Sequence, residues 1–521
     1  MKRNRITAVG MCLIMTISAL AGCQGKTGNP ASSAAPSAAP SADAQTSAGS
    51  QTGQAEERIP LTFLTNVNVD TEGYDINDSP YIKFLEDKFN VDLTIISESS
   101  KYPDKVNTIM ASGDLPDYLM LTNKESFSRW AAEGMLMDIT DKVGEYDNLK
   151  NEISQLGWNL SSYDGRIYGV PLLRYDQTPM ALFCNKSFME NLNINPEDVK
   201  TLDDWHEMLR RFTFEDPDGN GIDDTYGILA SDNDYSLPVR AFLDAFDAAT
   251  NKYVNGEYIP YYLTEEYKEY LQFMNGLYKE GIIDPEYVVT TGQQRWDKAV
   301  SNKYGCFLWF WMTTELRTMA YDLENLVPMA PPLKADGTQS KVRYENPVRN
   351  YTAITKNCKY PEKVLEILDW GCSEEGGKFV FAGIEGLDYE QNGDKVDIKE
   401  DRRGKNTSLR FIILGTQRPN VNTPLLEDLM LQAFGETSLE ALKVSNEYGM
   451  VDETGLSVPY FPELAMYDLT QPVKEFRDKA IMGTVNLEND WDTYVADYRR
   501  AGGEEQIKLM TEWYEKEYKK Q

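Results

Sequence analysis

The sequence predicts an α/β fold built on an open, mostly parallel sheet, and three observations lead there. Strand-like apolar runs alternate with amphipathic helical segments over residues 61–133, the order that generates parallel strands. No self-similarity at a solenoid or propeller period interrupts the chain. Residues 58–521 run without a second low-complexity linker, enough chain for one body made of two large lobes.

The elements follow in order. Lys2, Arg3 and Arg5 precede an apolar run over residues 6–20 and the tetrapeptide Leu20-Ala21-Gly22-Cys23. This is a secretory signal, too short and wrongly flanked to span a membrane. Its end resembles a bacterial lipobox, which implies lipid on the Cys23 thiol and cleavage just before it. Residues 24–57 are almost all Ser, Ala, Gly, Pro, Thr and Gln, a composition that buries too little to fold. Such a tether reaches on the order of 30 Å. Residues 61–67 then read as a buried strand, 80–89 as a helix, 91–96 as a strand, 102–112 as a helix, 118–121 as a strand and 126–133 as a helix. Ligands of open α/β sheets bind outside the carboxyl ends of strands. That rule points to the turn after Val67 and the segment near Asp117.

Charge and residue usage narrow the chemistry. A net charge of -31 repels phosphate backbones and anionic lipid, so nucleic acid is excluded as a partner and the membrane is met only through the N-terminal lipid. Neutral ligands become the default. Cys12 leaves with the signal, and Cys184, Cys306, Cys358 and Cys372 lack any CxxC spacing. They read as small buried residues, with pairing left open. His206 is the only histidine, which argues against a catalytic triad or a multi-histidine zinc site.

Several stretches then carry a family resemblance. Met110-Ala111-Ser112-Gly113-Asp114-Leu115-Pro116-Asp117 and Asp164-Gly165-Arg166-Ile167-Tyr168-Gly169-Val170-Pro171 resemble segments of the extracellular solute-binding proteins of ABC importers. Residues 216–227, 281–286 and 383–389 are similar to further stretches of the LplA-like lipoprotein subfamily. The resemblance implies a periplasmic-binding-protein type II fold, with two lobes joined by crossing strands around a ligand cleft. By that logic residues 1–22 are the signal, 23–57 the tether, 58–180 plus 327–372 one lobe, and 181–326 plus 373–521 the other. Phe183-Cys184-Asn185-Lys186-Ser187-Phe188 replaces the family's usual Arg-Lys-Asp-Trp-Leu stretch, which removes any ligand contact made through that arginine.

The implied function is that of a monomeric receptor, not an enzyme. It would sit on the outer face of the membrane and deliver a small polar solute, an oligosaccharide, to ABC importer membrane subunits. Residues 307–312 read as a strand that puts Trp309 and Trp311 on one face, a platform on which pyranose C–H faces pack. Asn68, Tyr74, Asp117, Arg174, Arg349 and Tyr351 complete the expected ligand site. A surface glycoside hydrolase is the rival reading, but 83 acidic residues supply carboxylates anywhere and so identify none. A glycan-retaining adhesin is another, and it would need no closing cleft. Finally, residues 216–224 place oxygen side chains at alternate positions around Gly221, the pattern of a calcium loop. The expected ligands are Asp216, Asp218, Asn220 and Asp224 with the Ile222 carbonyl. Gly227 stands where an EF-hand carries its last glutamate.

Overall fold

A computed structural model describes residues 57–519 except 68–70, 99–100, 174–179, 231–238, 314–315, 318, 345, 417 and 419–421. The chain opens with β1 (Ile59–Thr65), α1 (Pro80–Phe89), β2 (Val91–Ser97), α2 (Tyr102–Ser112), β3 (Tyr118–Leu121) and α3 (Lys124–Ala132), as the alternation predicts. Local chemistry sets these boundaries. Ser79 caps α1 by accepting the Ile82 N–H, Pro80 occupies its first turn, and Asn90 ends it in the left-handed region at φ 52°. Asn123 caps α3 through the Ser126 N–H at 2.8 Å.

β1 pairs in parallel with β2 and β3. β2 lies at the sheet edge and alternates buried with exposed residues, whereas all four residues of β3 are buried at the centre. The sheet is completed by β4 (Val170–Leu173) and, much later in the chain, β9 (Val348–Ile354), in the order β2-β1-β3-β9-β4. β9 runs antiparallel to both neighbours.

A second sheet collects β5 (Met180–Asn185), β6 (Tyr226–Ile228), β7 (Tyr304–Phe310) and β8 (Leu326–Met329), in the order β8-β5-β7-β6. The chain therefore passes from the first sheet to the second between Leu173 and Met180, and back between Met329 and Val348. Among the helices of this half is α4 (Leu202–Phe214), started by a capping box between Thr201 and Asp204. Cys184 and Cys306 face each other across β5 and β7, and all four described cysteines are buried free thiols.

The expected lobe borders differ from the packing in two places. Leu326–Met329 hydrogen-bonds to β5, so residues 327–329 belong to the second sheet, not to the first lobe. Helices α5 (Pro361–Gly371), α6 (Glu374–Ala382), α7 (Thr407–Leu414) and α8 (Pro424–Phe434) share one core with the first sheet, a core that also takes in Ala181 and Phe183 of β5 and Phe307 and Trp309 of β7, so residues 374–434 do not pack with the second lobe alone. A buried charge network shows why. Asp388 accepts the Tyr81 hydroxyl of α1 at 3.0 Å, the Arg402 Nε at 2.8 Å and the Ile384 N–H at 3.0 Å, which ties residues 383–410 to α1. Gly383 has φ +89°, and a Cβ there would stand 2.2 Å from the Asp388 carboxylate. The stretch at 383–389 thus serves the fold. After α9 (Glu436–Tyr448), the chain returns to the second core through α10 (Thr470–Ile481), α11 (Leu487–Tyr498) and α12 (Glu504–Tyr518).

Candidate functional site

The carboxyl ends of β1, β3 and β4 lie on one edge of the first sheet, beside the start of β9. The chain leaves this edge at Leu173 for the start of β5, which pairs with the end of β7. The crossing thus brings the carboxyl edge of the first sheet toward the β7 end of the second. Asn66, just beyond β1, keeps its Oδ1 buried without a hydrogen-bond partner, an acceptor left over at this edge. Asn68 and Arg174 lie outside the described residues.

Of the other expected ligand residues, Arg349 and Tyr351 lie at the start of β9 on this edge and Trp309 and Trp311 at the β7 end that it meets, whereas Asp117 lies at the opposite end of β3. Tyr74 is 47% exposed in a turn closed by its N–H to the Thr71 carbonyl. Asp117 sits at the amino end of β3, away from the cleft edge. Its Oδ2 accepts both the N–H and the hydroxyl of Thr62 at 2.8 Å, so it clamps β3 to β1. The strand expected over 307–312 ends at Phe310, so Trp311 lies in the turn beyond it; Trp309 and Trp311 join the same core, and each is only 1% exposed. The Arg295 guanidinium lies 4.2 Å over the Trp309 ring, and Phe434 of α8 meets Trp311 edge-on at 5.8 Å. The expected platform is core. Arg349 lies over the Phe411 ring at 4.4 Å. Tyr351 is buried against Phe127 at 4.6 Å, and its burial pushes the phenol up to about 12.

A groove that sequence reasoning missed stands open instead, with a volume of about 380 Å³. One wall is Glu125, exposed in the first turn of α3 immediately beyond β3. The facing wall comes from residues 458–470 and from Gln506 and Met510 of α12. Because α3 packs with the first core and α12 with the second, both lobes shape the groove. Tyr460, Phe461 and Tyr467 line it. Rings in a segment punctuated by Pro459 and Pro462 were the available signal, since such a segment cannot form a covering helix. Beside Glu125, the Lys124 ammonium is tucked under the carbonyls of Leu160 and Ser162, and burial brings its pKa down to about 8.

The calcium-like loop has the expected turn but not a closed ligand set. Asp216, Gly219 and Gly221 take φ of 46°, 67° and 78°. Asp216 accepts the N–H groups of Asn220 and Gly221, each at 3.0 Å. The Asn220 amide donates to Asp218 at 2.7 Å and to Asp224 at 3.3 Å, while its Oδ1 accepts the Ile222 N–H. Lys303 takes the other oxygen of Asp224 and, with Asn220, holds that carboxyl below its ordinary range. Among the described residues no group of three or more His, Cys, Asp or Glu side chains is drawn together to hold a metal ion.

Comparison with known families resolves the identity of the body. The pattern for bacterial extracellular solute-binding proteins matches residues 72–378, more than half the chain. The chain belongs to that family. The solute-binding protein is 26% identical over 476 residues to lipoprotein LipO of Bacillus subtilis (strain 168), covering 84% of this chain and 89% of LipO. It is 24% identical over 449 residues to the polygalacturonan/rhamnogalacturonan-binding protein YtcQ of the same strain, covering 83% and 87%. In fold it is similar to FusA of Streptococcus pneumoniae, an ABC-transporter substrate-binding protein solved with kestose, at TM-score 0.67 and 18% identity over 89% of this chain and 100% of FusA. FusA has also been solved as an EF-hand mutant. No helix among the described residues is long and apolar enough to cross a membrane.

Proposed function

We propose that the protein is the substrate-binding component of an ABC importer and that it captures an oligosaccharide outside the membrane without chemically altering it. The observation that carries this reading is the groove walled by both lobes, in which aromatic rings stand open beside a carboxylate and an amide. Stacking on C–H faces and bidentate hydrogen bonding to hydroxyls are the two means by which proteins hold neutral sugars. The names of YtcQ and FusA, both glycan-binding, agree with it. On this reading Cys23 carries the lipid, residues 24–57 are the tether, and a monomer delivers the ligand to the membrane subunits. Incubating the purified protein with an oligosaccharide panel tests the reading. A bound sugar at one hundred times its Kd should stabilise the fold by about 2.7 kcal/mol, with the sugar recovered intact. Shortened products would reveal a hydrolase, and no shift with any glycan would remove the oligosaccharide.

We also propose that Asp216, Asp218, Asn220 and Asp224, with the Ile222 carbonyl, hold a structural calcium ion. Three of these side chains already converge on Asn220, and their charge is now met by N–H donors and the Lys303 ammonium. A hard cation would take over that role.

A further inference from the structure

Resting on the reading of an oligosaccharide receptor, we propose that residues 458–470 form a strap that selects an uncharged sugar unit and refuses a uronate. Of the described residues lining this groove, Glu125 is the only carboxylate and none is lysine or arginine. A carboxylate ligand would therefore meet like charge, and among the described lining residues no cation would pair it, the neighbouring Lys124 ammonium being held by the Leu160 and Ser162 carbonyls. A neutral sugar meets none of that repulsion.

Hydrogen-bond chemistry agrees. The Tyr498 hydroxyl donates to Gln506 Oε1 and is itself linked to the Tyr262 hydroxyl at 2.9 Å. The Gln506 amide also donates to the Tyr262 hydroxyl, which leaves it one Nε2 proton, while Glu125 in the same groove only accepts. One donor and one acceptor in a groove suit a pair of sugar hydroxyls, each of which both gives and receives. The volume, about 380 Å³, falls in the range of roughly 300–1,000 Å³ typical of small-molecule sites.

The strap also packs into an interruption of the helical chain. Between α11 and α12 the helix is interrupted over Arg499–Gly503, where Gly502 takes φ +120°. The Tyr467 ring fills the notch, and a Cβ on Gly502 would stand 2.5 Å from it. Such local helix interruptions recur at functional sites. Here the interruption seats one aromatic of the strap on the same helix that supplies Gln506, so ring and amide keep a fixed relation.

Calorimetric titration of the purified mature protein tests the proposal, with kestose, maltotriose and xylotriose as neutral probes and tri-galacturonate as the anionic one. At least one neutral probe should bind. Tyr467→Ala and Glu125→Gln should each weaken it about tenfold or more, with the melting of Glu125→Gln little changed because that side chain is exposed, and that of Tyr467→Ala lowered only by the lost packing of a partly exposed ring on Gly502. Glu125→Lys should strengthen tri-galacturonate relative to the wild type. Neutral binding that neither Tyr467→Ala nor Glu125→Gln disturbs would overturn the strap and leave the receptor reading standing. Wild-type preference for tri-galacturonate over every neutral probe would overturn the selectivity. Silence with all four probes, and with a wider glycan panel, would take the receptor reading down with it.

Discussion

Two aromatic regions of this molecule make opposite use of the same chemistry. Trp309 at the end of β7 and Trp311 in the turn beyond it enter one core, each 1% exposed, whereas Tyr467 in the 458–470 strap is 38% exposed. Regular alternation makes a face apolar and uniform, which is what a covering layer needs, and α8 supplies that layer through Phe434. Irregular, proline-punctuated chain presents rings singly, so no helix or sheet can cover them together. In an α/β receptor the regular aromatic strand is thus the poorer candidate for a sugar platform.

The largest expected effect breaks the comparison if it fails. Trp309→Ala should cost about 3–5 kcal/mol of folding stability, and the folded fraction should bind glycan within about twofold of the wild type. Tyr467→Ala should cost under about 1 kcal/mol of stability. Denaturant melts of the two variants, read beside their sugar affinities, check the pair. Equal stability losses would mean that the strap is core as well.

An intermediate effect concerns the loop at 216–224. Equilibrium dialysis should show one calcium retained, chelation should lower the melting temperature, and Asp218→Ala should abolish both. With Gly227 in place of a closing glutamate and Lys303 competing for Asp224, affinity should fall in the weak range, a Kd on the order of 10⁻⁴–10⁻³ M. Lys303→Met should tighten it. Melting that is indifferent to both calcium and chelator would leave the loop an acidic turn.

The smallest effect sharpens the account of the groove's first wall. Lys124 has a folded pKa of about 8, below its ordinary 10.5, because burial disfavours the ammonium. The unfolded chain therefore binds more protons between those values. Stability from this group is at its lowest below pH 8 and rises as pH climbs toward 10.5. Compared with Lys124→Met, the wild type should gain about 2 °C in melting temperature between pH 7.5 and 9.5. A loss over that interval would show that the Leu160 and Ser162 carbonyls favour the charged form.

Much of the first sheet was legible because its elements are local. The apolar runs at 61–67, 91–96 and 118–121 and the capped helices between them appear close to where pattern places them. Asp117 misled for a related reason: the pattern locates a strand but not which end of it faces the cleft, and the Thr62 partnership that claims its carboxylate lies 55 residues away.

Local pattern was enough for the α/β class, the first three strands and the turn at 216–224. Each follows from spacing within a few residues, where backbone geometry leaves few choices. Only the tertiary structure decided what covers Trp309 and Trp311, where residues 374–434 pack and which rings remain open. Those outcomes depend on surfaces brought together from 100 residues or more apart, as when Tyr81 finds Asp388 and Phe434 finds Trp311. No local pattern records such a meeting, because burial free energy depends on the apolar area removed from water and not on the position in the chain that removes it.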